Sequence, residues 1–319
     1  MSATRPRVVA LVGPTAGGKT DLALALAPAL DAEIVSVDSR QIYRRLDIGT
    51  AKPDRAARAA VPHHLLDVVE PDEAFDAARF AALGREVVAD ILARGRNVLL
   101  CGGSGLYLRA LTEGLCPAPP ADPEVRAELA REVAERGAPA LHAELARVDA
   151  RAAARISPND AVRITRALEV VRLTGRPLSE WQERHAFADR PYELLTLVLS
   201  PPTDELEARI ARRAAAMWDA GLVEETRTVL DAGFDGALRP LQAIGYREAQ
   251  LFLRGELDRD AAIDRMRLAT RQYAKRQRTW FRALADAVWL DGHEPIAAVR
   301  ERAARFLSGD LGATDVSRL

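Results

Sequence analysis

Cysteine is nearly missing from the chain: Cys101 and Cys116 are its only two, with no C-x-x-C spacing. That scarcity excludes a disulfide framework and a cysteine zinc site, and makes a reducing cytosol the expected compartment. Long apolar runs are missing too, since no stretch approaches the roughly 20 residues that span a bilayer and Met1 to Arg7 carries no apolar signal core. The expectation is a soluble cytoplasmic protein with no membrane partner. Neither sign of charge predominates, with 45 lysines and arginines against 46 acids, so net charge argues neither for nor against a nucleic-acid partner. What is plentiful is apolar residues, 48% of 319, enough to bury a sizeable core in one large domain with an insertion or in two domains.

The apolar run Val8, Val9, Ala10, Leu11 and Val12 leads into Gly13, Pro14, Thr15, Ala16, Gly17, Gly18, Lys19 and Thr20, and a helix-prone segment follows from Asp21. Strand, glycine loop, helix is the setting a phosphate-binding loop requires. Its glycines let backbone N–H groups converge on an anion, the helix N-terminus adds positive potential, Lys19 adds a full charge, and the Thr20 hydroxyl can hold Mg2+. The loop therefore predicts a di- or triphosphate ligand, with ATP one candidate, and leaves open what is done to it.

Further along, Glu33 to Val37 reads as a second strand that delivers Asp38-Ser-Arg-Gln-Ile-Tyr43 at its C-terminal end, the end where open α/β sheets bind ligands. There Asp38 can serve Mg2+ through water, act as a general base, or cap a helix. Asp47 to Pro53 reads as a compact turn presenting a hydroxyl and an ammonium. The pair His63-His64 invites a metal reading, but adjacent histidines do not face one ion from a regular element, so packing or capping is expected. Phe75 to Arg94 has helical periodicity and stops at Gly95. A third strand, Asn97 to Cys101, then opens into a second glycine loop, Gly102 to Tyr107, able to admit a backbone or a ligand.

Composition changes at the proline-dense Cys116 to Pro123, and from Glu124 to about Phe187 every segment reads helical. Within it, Ser157 to Asp160 caps a helix with Arg163, Arg166 and Glu169 on one face, either aimed at phosphates or simply solvated. Tyr192 to Leu199 returns the chain to the sheet, and the helix from Thr203 carries Arg209, Arg212 and Arg213, placed to close over a phosphate. Leu241 to Glu248 reads as a turn whose Gln242, Tyr246 and Arg247 can bond or stack on a base. Between Arg265 and Arg282, Arg267, Arg271, Lys275, Arg278 and Arg282 form a cationic face with almost no interleaved acids, opposite Met266, Ala269, Tyr273 and Trp280. Such a stripe predicts a polyanion larger than a nucleotide, RNA first. Val288 to Asp291 is a last candidate strand, and Thr314 to Leu319 a frayed tail.

The fold class is thus α/β: a parallel sheet core flanked by helices, of the P-loop NTPase kind, with an all-helical insertion. The expected divisions are 1–118, 119–188 and 189–319. These parts support a small-molecule kinase, an enzyme whose loop holds a leaving diphosphate, or a non-enzymatic RNA-binding switch.

The motifs together decide. Gly13 to Thr20, Asp38 to Tyr43, Gly49 to Pro53, His63 to Asp67, Gly102 to Tyr107, Asn159 to Glu169, Ala243 to Glu248 and Thr270 to Gln277 occur in this order. The chain so resembles the tRNA dimethylallyltransferase (isopentenyltransferase) family, over nearly its whole length. It departs at Gly18, where the family usually has Ser, and at Ser104, where it usually has Thr. The resemblance implies transfer of a dimethylallyl group from dimethylallyl diphosphate to N6 of the adenosine 3′ of the anticodon, with Mg2+ on Thr20. Transfer to a free adenine nucleotide is the alternative within that chemistry. It implies catalytic roles for Asp38, Thr15, Lys19 and Thr20, and diphosphate binding by Gly13 to Thr20 with Arg213. It further implies contacts to the tRNA anticodon stem-loop by Asp38, Ser39, Arg40, Gln41, Ser104, Arg126, Val162, Arg163, Ile164, Thr165 and Arg166, and by Gln242, Ala243, Ile244, Gly245, Tyr246, Arg247, Arg271 and Lys275. A monomer is expected.

Overall fold

A computed structural model describes residues 5–185 and 189–312; the expected tail at 314–319 lies outside them. The chain divides into two compact units, Met1–Thr112 with Pro191–Leu319, and Glu113–Arg190. The first begins with β1 (Arg7–Val12), α1 (Lys19–Ala29), β2 (Ala32–Val37), α2 (Arg55–Ala60), β3 (His63–His64), α3 (Ala77–Ala93), β4 (Asn97–Gly102) and α4 (Gly105–Glu113). The second has helices and no strand among its described residues: α5 (Pro123–Arg136), α6 (Ala138–Val148), α7 (Ala150–Arg155), α8 (Ala161–Thr174) and α9 (Leu178–His185). The first then resumes with β5 (Glu193–Leu199), α10 (Thr203–Asp219), α11 (Leu222–Asp231), α12 (Tyr246–Leu253), α13 (Arg259–Phe281), β6 (Val288–Leu290) and α14 (Ile296–Ser308).

The six strands form one sheet in the order β3-β2-β4-β1-β5-β6, every pair parallel. Continuous apolar runs make this possible, because a parallel strand is covered on both faces. Val8 to Val12 and Ala32 to Val37 are buried without interruption. One face packs Val9, Leu11, Ile34 and Leu197 against Leu26 of α1 and Phe306 of α14. The two-residue β3 escaped the sequence reading because His63 and His64 pair with Ile34 and Val35 without any alternation to betray them.

Helix starts follow local chemistry. Asp76 accepts the N–H groups of Ala78 and Arg79, and Asp258 accepts that of Ala261, each serving donors the first turn leaves unpaired. Register then sets the functional edge. Val12 pairs with Gly102, and Gly102 with Val37, so the loops opening at Gly13, Asp38 and Gly103 leave the sheet at one level, side by side.

In the insertion unit, Leu129, Leu141, Leu145, Ile164 and Leu168 form a separate core. Asp122 caps α5 ahead of Pro123, and Asp160 caps α8.

Candidate active site

The phosphate loop turns sharply out of β1. Gly13 sits at φ 146, and a Cβ there would lie 2.1 Å from the Leu199 carbonyl oxygen, so no other residue fits. Lys19 opens α1 and its Nζ donates to the Pro14 carbonyl at 2.7 Å, which tethers the ammonium over the loop. Burial holds the Lys19 pKa down at about 8; Arg213 lowers it too, while Cys101 and Asp38 oppose the shift. Burial also lowers the basicity of Arg213, against the pull of Asp38. Lys19, Arg213 and Asp38 therefore share one field, to which Asp21 adds at Arg213. Arg209 of α10 donates to the Gly17 carbonyl at 3.1 Å and pairs with Glu205. A cavity of about 730 Å³ opens between residues 16–21 and Arg209, Arg212 and Arg213. Thr20 is exposed at its mouth, offering a hard oxygen that suits Mg2+ completed by phosphate oxygens.

Asp38 curls its own loop, since its Oδ1 accepts the Arg40 N–H at 2.8 Å. The remaining carboxylate capacity faces a cavity of about 360 Å³ shared with Thr15 and Arg213, whose apolar wall includes Ile210, Ala214, Met217 and Met266. Ser104 accepts the Ser39 N–H at 2.9 Å, joining the second glycine loop to the Asp38 loop. Gln41 does not reach out to a base as expected. Its Oε1 accepts from Ser36 Oγ at 3.0 Å and its Nε2 donates to the carbonyls of Thr50 and Ala51, so the amide is spent holding the loop. Arg40 donates to the Arg239 carbonyl at 3.2 Å.

Sequence reasoning missed the residue that joins the two glycine loops. Gln277 of α13 accepts the Thr15 N–H at 2.8 Å and donates to the Gly103 carbonyl at 2.9 Å. A Cβ on Gly103 would lie 2.3 Å from Gln277 Nε2, and one on Gly105 2.0 Å from Trp280 Nε1. The second loop is thus glycine-rich to admit side chains of α13 rather than a ligand. Tyr273, Arg276 and Trp280, read as packing residues or passed over, line a third cavity of about 390 Å³ with Ser104, Tyr43, Phe75 and Tyr107. Burial pushes the Tyr273 hydroxyl up to about 12, with Asp38 adding to it, so it stays protonated. The motif Thr270 to Gln277 marks this stretch of α13 in the sequence, without saying which way its side chains turn.

That charged face is less bare than expected. Arg267 pairs with Asp264 at 3.2 Å and Arg271 with Glu207 of α10 at 3.1 Å. Arg278 is committed to Ser200 Oγ, Thr203 Oγ1 and the Pro201 carbonyl, which removes it from any free stripe. Lys275 and Arg282 remain exposed.

Other expectations also change. Tyr246 is fully buried and its hydroxyl donates to Glu225 at 2.5 Å, so it stacks on no base. Beside it Gly245 is buried, Ala243 and Ile244 line the Asp38 cavity, and Gln242 and Arg247 are exposed. Lys52 presents no ammonium: its side chain is 1% exposed between Asp47 and Asp67. His64 bonds Glu33 at 2.7 Å and His63 the Val61 carbonyl, in keeping with packing roles.

In the insertion unit, Ile164 is completely buried in the core, which excludes its side chain from contact with a partner. Arg126 and Arg166 pair at 2.9 and 2.6 Å with Glu169, itself 0% exposed. Burial pushes that carboxyl up, yet Arg166, Arg126 and the Asp122 N–H carry it below the usual range. Val162, 75% exposed, and Arg163, 64% exposed at its side chain, point outward, and Thr165 is half-buried. Among the described residues no cluster of three or more His, Cys, Asp or Glu is placed to hold a metal, and no helix is long and apolar enough to cross a membrane.

A sequence model of the family described as IPP transferase matches residues 41–284. The chain is 54% identical over 295 residues to a protein of Anaeromyxobacter dehalogenans named tRNA dimethylallyltransferase, covering 92% of this chain and 98% of that one. It is 52% identical over 298 residues to a protein of the same name from Stenotrophomonas maltophilia, covering 91% and 93%. Among solved structures it is similar to the full-length tRNA isopentenylpyrophosphate transferase of Bacillus halodurans, with TM-score 0.71, 37% identity, and 98% and 99% of the two chains covered.

Proposed function

The chain belongs to the IPP transferase family, and on that premise we propose that it moves a dimethylallyl group from dimethylallyl diphosphate to N6 of the tRNA adenosine 3′ of the anticodon. The observation that carries this reading is the cavity in which the Asp38 carboxylate meets Thr15 and Arg213 beside an apolar wall. A branched five-carbon tail suits that wall, because its allylic carbon gains positive charge as diphosphate leaves and water must be kept from it.

In this reading the carbon–oxygen bond to diphosphate breaks as the nitrogen–carbon bond to N6 forms. The leaving oxygens gather negative charge against Lys19, Arg213 and the N–H groups of the loop. Asp38 takes the N6 proton. The exocyclic amine is a weak nucleophile, its lone pair shared with the ring, so proton removal and orientation carry more of the rate than tightness of binding. Thr20 is the residue that would hold Mg2+, and the ion when bound would supply further neutralisation of the leaving group. The adenine has to leave the anticodon-loop stack; Ser39, Ser104 and the aromatic groups of the third cavity, Tyr43, Phe75 and Trp280, are suited to receive it. Arg163 and Val162 of the insertion, and Gln242, Arg247 and Lys275 of the first unit, are the exposed groups offered to the stem-loop. The free thiols Cys101 and Cys116 support a reducing, cytoplasmic setting.

The test is transfer of label from dimethylallyl diphosphate to tRNA, run beside ATP with small acceptors and beside free adenine nucleotides. Label in tRNA alone is expected. Phosphate transfer from ATP, or label only in free nucleotide, would overturn the assignment.

A further inference from the structure

Gln277 is 6% exposed, and both ends of its amide are engaged, each with a different loop. We propose that Gln277 is a positioning residue of the transfer reaction, holding the donor loop and the acceptor loop at the one setting where the reacting atoms meet. The proposal rests on the transferase reading of this site.

The geometry makes a continuous chain. Gln277 Oε1 accepts the Thr15 N–H, so that donor is turned toward α13, away from an anion in the loop. Gln277 Nε2 donates to Gly103, the next residue Ser104 accepts the Ser39 N–H, and Ser39 follows Asp38. Thr15 on the donor side and Asp38 on the acceptor side are therefore connected through one amide and one hydroxyl. The amide cannot rotate without losing a partner, because its oxygen and its nitrogen are not interchangeable between an N–H and a carbonyl. Nor can Gly103 gain a side chain, since a Cβ there would fall 2.3 Å from Gln277 Nε2. Gln277 lies on the packed face of α13, in line with the buried Ala274 and Phe281. Misplacement by about 1 Å costs roughly a hundredfold in rate, even where substrates still bind.

The experiment compares wild type, Gln277→Leu and Gln277→Glu in steady-state transfer to tRNA across pH. Gln277→Leu keeps the bulk and removes both bonds; kcat is expected to fall about a hundredfold, with KM for both substrates within about threefold. Gln277→Glu keeps the acceptor for Thr15 but sets an oxygen against the Gly103 carbonyl until the carboxyl is protonated. Its activity relative to wild type at the same pH should therefore rise as pH falls. A raised KM with intact kcat, or a Gln277→Glu profile parallel to wild type, overturns the proposal, and the Gln277→Glu profile decides alone if Gln277→Leu does not fold. An inactive wild type would instead break the transferase reading. In that case exchange of the Thr15 amide hydrogen decides the coupling: faster exchange in Gln277→Leu at unchanged melting temperature supports it, and equal exchange overturns it.

Discussion

Tyr246 donates its buried hydroxyl to Glu225 at 2.5 Å, and the same carboxylate accepts the N–H groups of Asp47, Ile48 and Gly49. One side chain of α11 thus fastens α12 to the turn that Gln41 grips through Thr50 and Ala51. Burial, then Glu225, drives the Tyr246 pKa far above its ordinary value, so the phenol is a permanent donor. Tyr246→Phe should lower unfolding stability by roughly 1.5–3 kcal/mol, the range for a hydrogen bond to a charged group. A denaturant midpoint shift at constant slope checks it, and tRNA affinity should hardly change, since the ring touches no partner.

Asp38 is better tested by Asn than by Ala. Asn retains an oxygen to accept the Arg40 N–H and so preserves the loop, while removing the group proposed to take the N6 proton. Turnover should fall by about a thousandfold or more, with tRNA affinity within a factor of about two. Retained turnover would show that the N6 proton leaves by another route.

The strands other than β3, the turn of the glycine loop out of β1 and the position of Asp38 were legible in the sequence because each depends on neighbours a few residues away. An apolar run, a glycine cluster and the end of a strand are local facts. What was not legible depends on partners far along the chain. Thr15 and Gln277 are 262 positions apart, and nothing near Gln277 says that its amide turns toward a loop. Arg166 reads as a free cation because Glu169 on the same face reads as a surface acid, and Arg126 joins it only through the resemblance, whereas Glu169 is fully buried and pairs with both. Periodicity put Ile164 on the apolar face of its helix, opposite the arginines, and the motif resemblance then drew it into the contact set. Here the helical pattern was the better guide.

Lys19 gives the site a pH signature. With its pKa lowered from 10.5 to about 8, the folded chain binds fewer protons than the unfolded one between those values. Its unfavourable effect on stability is therefore full below about pH 8 and fades as pH rises toward 10.5. Binding runs the other way. A diphosphate beside Lys19 restores the proton, so donor affinity should fall as pH rises through about 8, by up to about tenfold per unit, and be flat below about 7. Calorimetry of dimethylallyl diphosphate binding in buffers of different ionisation enthalpy should detect proton uptake near that pH. Lys19→Arg should abolish the inflection, and an unchanged inflection would assign it elsewhere.

The face of α13 separates two cations that spacing alone makes equivalent. Arg271 is already balanced by Glu207 at 3.1 Å, whereas Lys275 is exposed and has no ion-pair partner among the described residues. A phosphate near Arg271 has to compete with Glu207, and removing the arginine also releases that acid, which then repels the backbone. Lys275→Ala breaks no ion pair among the described residues, so on the proposed reading the phosphate contact is all it removes. It should weaken binding to all tRNA sequences alike and reduce the slope of log affinity against log salt by about one. Arg271→Ala should weaken binding at least as much at low salt, while Arg271→Ala combined with Glu207→Gln should recover part of that loss. Filter binding over a salt series measures all three, and a slope unaltered by Lys275→Ala would show that this face of the helix is only solvated.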